Sequence, residues 1–471
     1  MANRQDHEQV VVSGRELSPW EDAFAQYHDM NLLNSSYVFF LQADEPVTEQ
    51  LVVNGARMLR ASYAMLRMRI VDEDGKRYFR PMDEEVIDVK TLSGDWETVH
   101  VGELSRKFDL MNGPLWRIRL LEGDVDDRKF STTMICTFFQ GFVDGNTVMR
   151  FIDSLLTNME TVGEQACSVV KQEKFPLSDS VETAVQLAPP TTEERHFFQQ
   201  VALDIERFGY TQNPYIAKFG AVMSRNPDVR KDTRLIPIEL RVEQTAKLIS
   251  LCRKNGTSVN GALTAAAALA LCKIVQGGQV TEDLEILVSF AVNMRGHCKP
   301  AVKPDHSFAN FAPDIEMLLN VPAQGDELEE FWKFAAQCRE ETLKKIEAGE
   351  PQLVLKHFRH MKDTNYSMKR FLKPYMENVA DGYREDTLFF MSNLGNLDFL
   401  SRERKFQIVS RHCACENALM GPTFCHYVAT IHGRLLWSLV YYTNVTTKAQ
   451  AQEYANEIVA ILIRAIDADF Q

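Results

Sequence analysis

The residues with the clearest chemical potential lie in one short stretch, Phe138-Phe139-Gln140-Gly141-Phe142-Val143-Asp144-Gly145. An apolar run, Met134-Ile135-Cys136-Thr137, precedes it, and a helix-like segment from Val148 to Leu156 follows. The pattern describes a buried strand ending in a Gly-hinged loop with a carboxylate at its exit. Taken alone, Asp144-Gly145 is a turn signal. Gln140 can orient a nucleophile by hydrogen bonding, but a carboxamide has no accessible proton-accepting pKa and cannot be a general base. A second cluster, Cys413, Cys415, Cys425 and His426, has one residue between its first two cysteines. Zinc sites space them by two to four, so these read as buried free thiols and no metal is expected. The chain has no phosphate-binding Gly-rich loop, His-Glu-x-x-His motif or Gly-x-Ser-x-Gly elbow.

Composition narrows the class. The 471 residues favour two or more domains. A net charge of -13 repels phosphate backbones and argues against nucleic acid as a partner. Nine scattered cysteines, an odd number, fit a reducing compartment rather than a disulfide framework. The polar start, Met-Ala-Asn-Arg-Gln-Asp-His-Glu, does not read as a signal peptide. The longest apolar stretch, Val259 to Val275, is interrupted by Asn260, Gly261, Thr264 and Lys273, so no membrane span is expected. The expectation is a cytoplasmic protein of enzyme size.

The elements that must position the loop follow from periodicity. Ser18 and Pro19 mark a helix start. Tyr37 to Leu41 reads as a strand, Val47 to Leu66 as a helix, and Asp74-Gly75 as a hairpin turn. Trp116 to Leu120 and Lys129 to Phe139 read as strands flanking a charged turn from Glu122 to Arg128. A charged, Pro-containing stretch from Glu164 to Lys231 reads as a crossover with short helices. Beyond it, strands are expected at 236–240, 284–292, 388–393, 424–431 and 434–442, and helices at 242–255, 262–274, 325–348 and 450–470. The domains divide as 1–175, a linker at 176–231, and 232–471.

The opening stretch resembles the His-His-x-x-x-Asp-Gly signature of the CoA-dependent acyltransferase superfamily, with Gln140 at the position of the general-base histidine. Four further segments resemble that superfamily in the same order: Leu66-Arg67, Thr257 to Ala265, Val292-Asn293-Met294-Arg295 with Phe308-Ala309-Asn310-Phe311, and Ser392-Asn393-Leu394-Gly395. The similarity is to the alcohol acetyltransferase and condensation-domain branch. The Asp-Phe-Gly-Trp-Gly segment of the plant enzymes is absent.

The resemblance implies an α/β fold of two chloramphenicol acetyltransferase-like mixed-sheet domains meeting at a central tunnel. It implies that Asp144 holds the loop by pairing with Arg295. Gly145 would supply backbone freedom at the loop exit. Ser392 or Asn393 would donate a hydrogen bond to a tetrahedral oxyanion. His297, two residues after Arg295, is the nearest substitute base by sequence, and His306 lies close to the Phe308 segment. The implied activity is acyl transfer from acyl-CoA, a co-substrate rather than a resident cofactor, to a small-molecule hydroxyl or amine. The alternatives are an inactive member that binds acyl-CoA or a hydrophobic ligand, and a condensation-like partner of an acyl carrier protein.

Overall fold

The computed structural model describes residues 14–30, 32, 34–126, 129–164, 174–208, 213–219, 232–303, 307–323, 325, 327–371, 373, 387–417 and 422–467. The polar N-terminal dozen residues and His306 fall outside them.

In chain order, the first half supplies β1 (Arg15–Glu16), β2 (Asn34–Ala43), β3 (Met68–Glu73), β4 (Lys76–Pro81), β5 (Val89–Leu92), β6 (Trp116–Asp126) and β7 (Lys129–Phe139). The second half supplies β8 (Thr233–Leu240), β9 (Leu284–Ala291), β10 (Asp314–Val321), β11 (Thr387–Asn396), β12 (Phe406–Cys415), β13 (Phe424–Ile431) and β14 (Arg434–Tyr442). Two mixed sheets dominate, in the orders β12-β2-β7-β6-β5 and β10-β9-β11-β13-β14-β8, with a small sheet β1-β4-β3 beside them. This is the two-sheet α/β architecture that the sequence resemblance implies.

Local signals act where the sequence places them. Ser18 and Glu21 form a capping box around the helix Pro19–Asp29. Asp74 and Gly75 both take positive φ, 53° and 76°, as a tight hairpin requires. Ser258 caps the helix Val259–Val275, whose residues from Gly261 to Cys272 are all buried. No described helix by itself is long and apolar enough to cross a membrane. The adjoining helices Val242–Lys254 and Val259–Val275 pass such a test together, but they bend by 100°.

Two differences from the sequence reading are informative. The expected turn from Glu122 is largely strand among the described residues: β6 stays paired with β7 through Asp126 and Lys129. The strand β12 has no counterpart in the sequence reading. It leaves the second half of the chain and pairs antiparallel with β2 from Phe406↔Ala43 to Cys415↔Ser35. It also lies against the other large sheet, where the Cys413 amide donates to Ser438 Oγ at 3.2 Å. One strand therefore ties the two sheets together beside the end of β7.

Candidate active site

The strand β7 ends at Phe139 and the chain turns through a short 3-10 segment, Gln140–Phe142, into the helix Gly145–Glu164. Asp144 caps that helix. Its Oδ1 accepts the Thr147 amide at 2.9 Å, satisfying one of the free N–H groups of the first turn. The same oxygen accepts Arg295 Nη2 at 3.1 Å. Oδ2 accepts Arg295 Nη1 at 2.8 Å and the Phe311 amide at 2.8 Å. Both ionic partners are buried, at 2% and 4% exposure. A carboxylate has about four lone-pair sites, and all are used.

Arg295 is held in turn. Its Nη2 donates to Thr147 Oγ1 at 2.8 Å, and its Nη1 to Asn293 Oδ1 at 3.3 Å. The guanidinium carbon lies 4.8 Å from the centre of the Phe311 ring. Thr147 Oγ1 donates to the Ala309 carbonyl at 3.0 Å, and Asn310 Nδ2 to the Gln140 carbonyl at 3.2 Å. The segment 309–311 is thus laced to the loop at three points. The pairing of Asp144 with Arg295 implied by the sequence is present.

Gly145 permits a close approach. A Cβ there would lie 2.8 Å from Leu394 Cδ2, so the end of β11 rests against the loop exit. Asn393 Oδ1 accepts the Gly395 amide at 2.9 Å, which commits that oxygen to shaping the turn. Ser392 is half-buried and pairs in register with Tyr427 of β13.

Gln140 is half-buried at the strand end. Its Oε1 faces Cys415 Sγ at 3.9 Å, with the thiol donating. Cys415 is hydrogen-bonded in turn to the Tyr427 hydroxyl. Burial pushes both the Cys415 thiol and the Tyr427 phenol well up, so both stay protonated at neutral pH. Neither Cys415 nor Tyr427 was visible as a site residue in the sequence, because each reaches Gln140 only through β12 and the sheet-to-sheet contact. Thr147, three residues after Asp144, did carry a cap-like spacing.

His297 is exposed on the 3-10 turn Met294–His297, while its neighbour Arg295 is buried. The cysteine-histidine cluster divides by strand alternation. His426 accepts Trp437 Nε1 at 3.0 Å within the core, whereas Cys425 contacts the Tyr442 hydroxyl at 3.2 Å. Among the described residues, no group of three or more His, Cys, Asp or Glu could hold a metal ion.

Asp314, at the start of β10, has open surface, yet burial by the surrounding protein, helped by Glu316, raises its carboxyl to about 7.

Residues 231–435 match the family profile described as phthiocerol/phthiodiolone dimycocerosyl transferase C-terminus. No curated protein matches the chain. Polyketide synthase associated protein 5 from Mycobacterium tuberculosis superposes with a TM-score of 0.66 at 15% identity, over 97% of this chain and 98% of that one. The TRI3 trichothecene 15-O-acetyltransferase from Fusarium sporotrichioides gives 0.70 at 11% identity, over 96% and 95%. The epimerization domain from the third module of tyrocidine synthetase B gives 0.65 at 15% identity, over 99% of both. With both lobes matched along nearly their whole length, the chain has the fold of the CoA-dependent acyltransferases and condensation domains.

Proposed function

We propose that this protein moves an acyl group from an acyl-CoA thioester to a hydroxyl or amine of a small molecule. The observation that carries the reading is the fourfold saturation of Asp144. With every lone pair engaged, Asp144 has nothing left for a substrate proton. Its work is to lock the Gln140 loop onto the second lobe, and a locked loop is what transition-state stabilisation requires. The printed acetyltransferase activity of the TRI3 protein, on the same fold, agrees with this class of reaction.

Gln140 acts as a hydrogen-bond donor in this reading. Its Oε1 is taken by the Cys415 thiol, which leaves the amide N–H groups to face the thioester carbonyl. Ser392 supplies a second donor. Such donors contribute about 3–4 kcal/mol of transition-state stabilisation when aimed at the developing oxyanion. An amine acceptor reacts more readily here than an alcohol, because it is the better nucleophile. An acyl group presented on a carrier protein is the alternative source of the thioester.

The test is CoA release from acetyl-, octanoyl- and palmitoyl-CoA with alcohol and amine acceptors, compared with Gln140→Ala. Turnover that falls about a hundredfold to a thousandfold in the variant supports the reading. Acyl-CoA binding with no release in any combination would replace it with the second reading, a binding protein of this fold, which the carboxamide at position 140 favours.

A further inference from the structure

The face of the β10-β9-β11-β13-β14-β8 sheet that meets β12 can be read row by row. Met317 accepts Thr342 Oγ1 at 4.0 Å and Met391 accepts Thr264 Oγ1 at 3.7 Å, so both point to the helices Leu328–Glu347 and Val259–Val275. Ile315, Phe290 and Met391 lie in that helix-facing set and are at most 3% exposed. Their chain neighbours Asp314, Ala291 and Ser392 alternate to the opposite face. There Asp314 pairs with Ala291, Ser392 follows the Phe290↔Met391 pair, and Ser392 pairs with Tyr427. The row therefore runs Asp314, Ala291, Ser392, Tyr427.

Above this row stand Cys415 and Gln140. Cys415 bonds Tyr427 and Gln140 and also lies within electrostatic reach of Asp314. Asp314 and Ser392 are two strands apart, about 10 Å between backbones. Ala291, half-buried and with only a methyl for a side chain, stands between them. The Asp314 carboxylate has no hydrogen-bond or ion-pair partner among the described residues. The titratable groups acting on it are Glu316 on its own strand and Cys415 from β12.

We propose that Asp314 is the proton acceptor of this site, taking the place of the histidine missing at position 140. The inference rests on the acyl-transfer reading. The acceptor group lies over Ala291, between the Asp314 carboxylate and the thioester carbonyl held by Gln140 and Ser392. As the acceptor oxygen or nitrogen bonds to the carbonyl carbon, its proton passes to Asp314. The tetrahedral intermediate collapses, the carbon–sulfur bond breaks, and Asp314 returns the proton to the departing thiolate to give free CoA. A carboxyl near 7 is matched to such work, being able to take and return a proton at neutral pH.

The experiment measures CoA release from acetyl-CoA and octanoyl-CoA with 1-hexanol and hexylamine between pH 5 and 9. The alcohol reports the base cleanly, since it does not itself titrate in this range. For the wild type, kcat/KM should rise with pH through one ionisation near 7, because only the deprotonated carboxylate accepts the proton. In Asp314→Asn the rate should drop about a hundredfold or more and this rise should vanish. Asp314→Glu should restore part of the rate. Glu316→Gln should move the midpoint downward, by removing a neighbouring negative charge, and keep the plateau. Thermal unfolding of each variant separates a folding defect from a catalytic one. A wild type that turns over while folded Asp314→Asn keeps its rate and pH profile would overturn the role of Asp314 and leave acyl transfer standing. A wild type that releases no CoA with any of these pairs removes both.

Discussion

Arg295 grips Asp144 with two nitrogens, at 2.8 and 3.1 Å, across 151 residues of chain. Each partner is almost wholly buried. Removing the carboxylate would strand a guanidinium in a low-dielectric interior. Asp144→Ala should therefore cost about 3–5 kcal/mol of stability, read from urea unfolding. Arg295→Lys should also destabilise, because an ammonium cannot reproduce the two-pronged contact. Wild-type stability in either variant would show the pair to be dispensable.

Gln140→His places an imidazole at the end of β7, within reach of the Cys415 thiol that now meets the carboxamide at 3.9 Å. The exchange replaces the carboxamide assigned to the thioester carbonyl and leaves Asp314 as the proposed base, so alcohol acylation should fall about tenfold or more. A folded variant that gains rate would put the acceptor at position 140 and remove the donor role of Gln140.

Leu394 occupies the space that a side chain at position 145 would need, 2.8 Å from the built Cβ. Gly145→Ala should destabilise by about 1–3 kcal/mol through overpacking. Combining it with Leu394→Ala should recover part of that loss. A double-mutant cycle with no coupling would mean that the two residues yield independently.

Buried histidines, His426, His412, His100 and His28 among them, set an acid limit. His426 accepts from Trp437 Nε1 at 3.0 Å and meets Tyr454 Oη at 3.2 Å; the Tyr454 hydroxyl also donates to the Ala267 carbonyl at 3.1 Å. That chain keeps His426 neutral, with its proton on Nε2. Burial lowers His426 and His412 to about 3 and His100 to about 4. A depressed pKa means that their contribution to stability is complete above the unfolded value near 6.5 and is lost as pH falls toward 3. Asp314 acts in the opposite sense, so the histidines set the slope. Urea midpoints should fall steadily from pH 7 to pH 4, and less steeply in His426→Phe. A flat profile would contradict the neutral burial of these rings.

The sequence showed the frame of the site better than its contents. Asp144, Gly145 and Arg295 sit at or beside helix ends, and Ser392 lies within β11; at each of them the resemblance speaks. The hairpin β13–β14 was legible to the residue, from Phe424–Ile431 and Arg434–Tyr442, because His432-Gly433 leaves one way to turn. Asn393 was less legible: its side chain shapes the turn at Gly395 through a bond that spacing does not announce. His297 followed Arg295 closely in sequence, but two residues along a 3-10 turn separate a buried side chain from an exposed one.

By itself, the sequence determined the alternation of strands and helices, the loop at Phe138–Gly145 and the presence at position 140 of a carboxamide, which cannot serve as a general base. These depend on residue type and short-range spacing. The tertiary structure alone decided that β12 leaves its own half of the chain to pair with β2. That pairing brings Cys415 to Gln140 across 275 residues. It likewise decided that Asp314 lies in one row with Ser392, because sheet register is fixed by pairing between distant strands and leaves no trace in the spacing of either one.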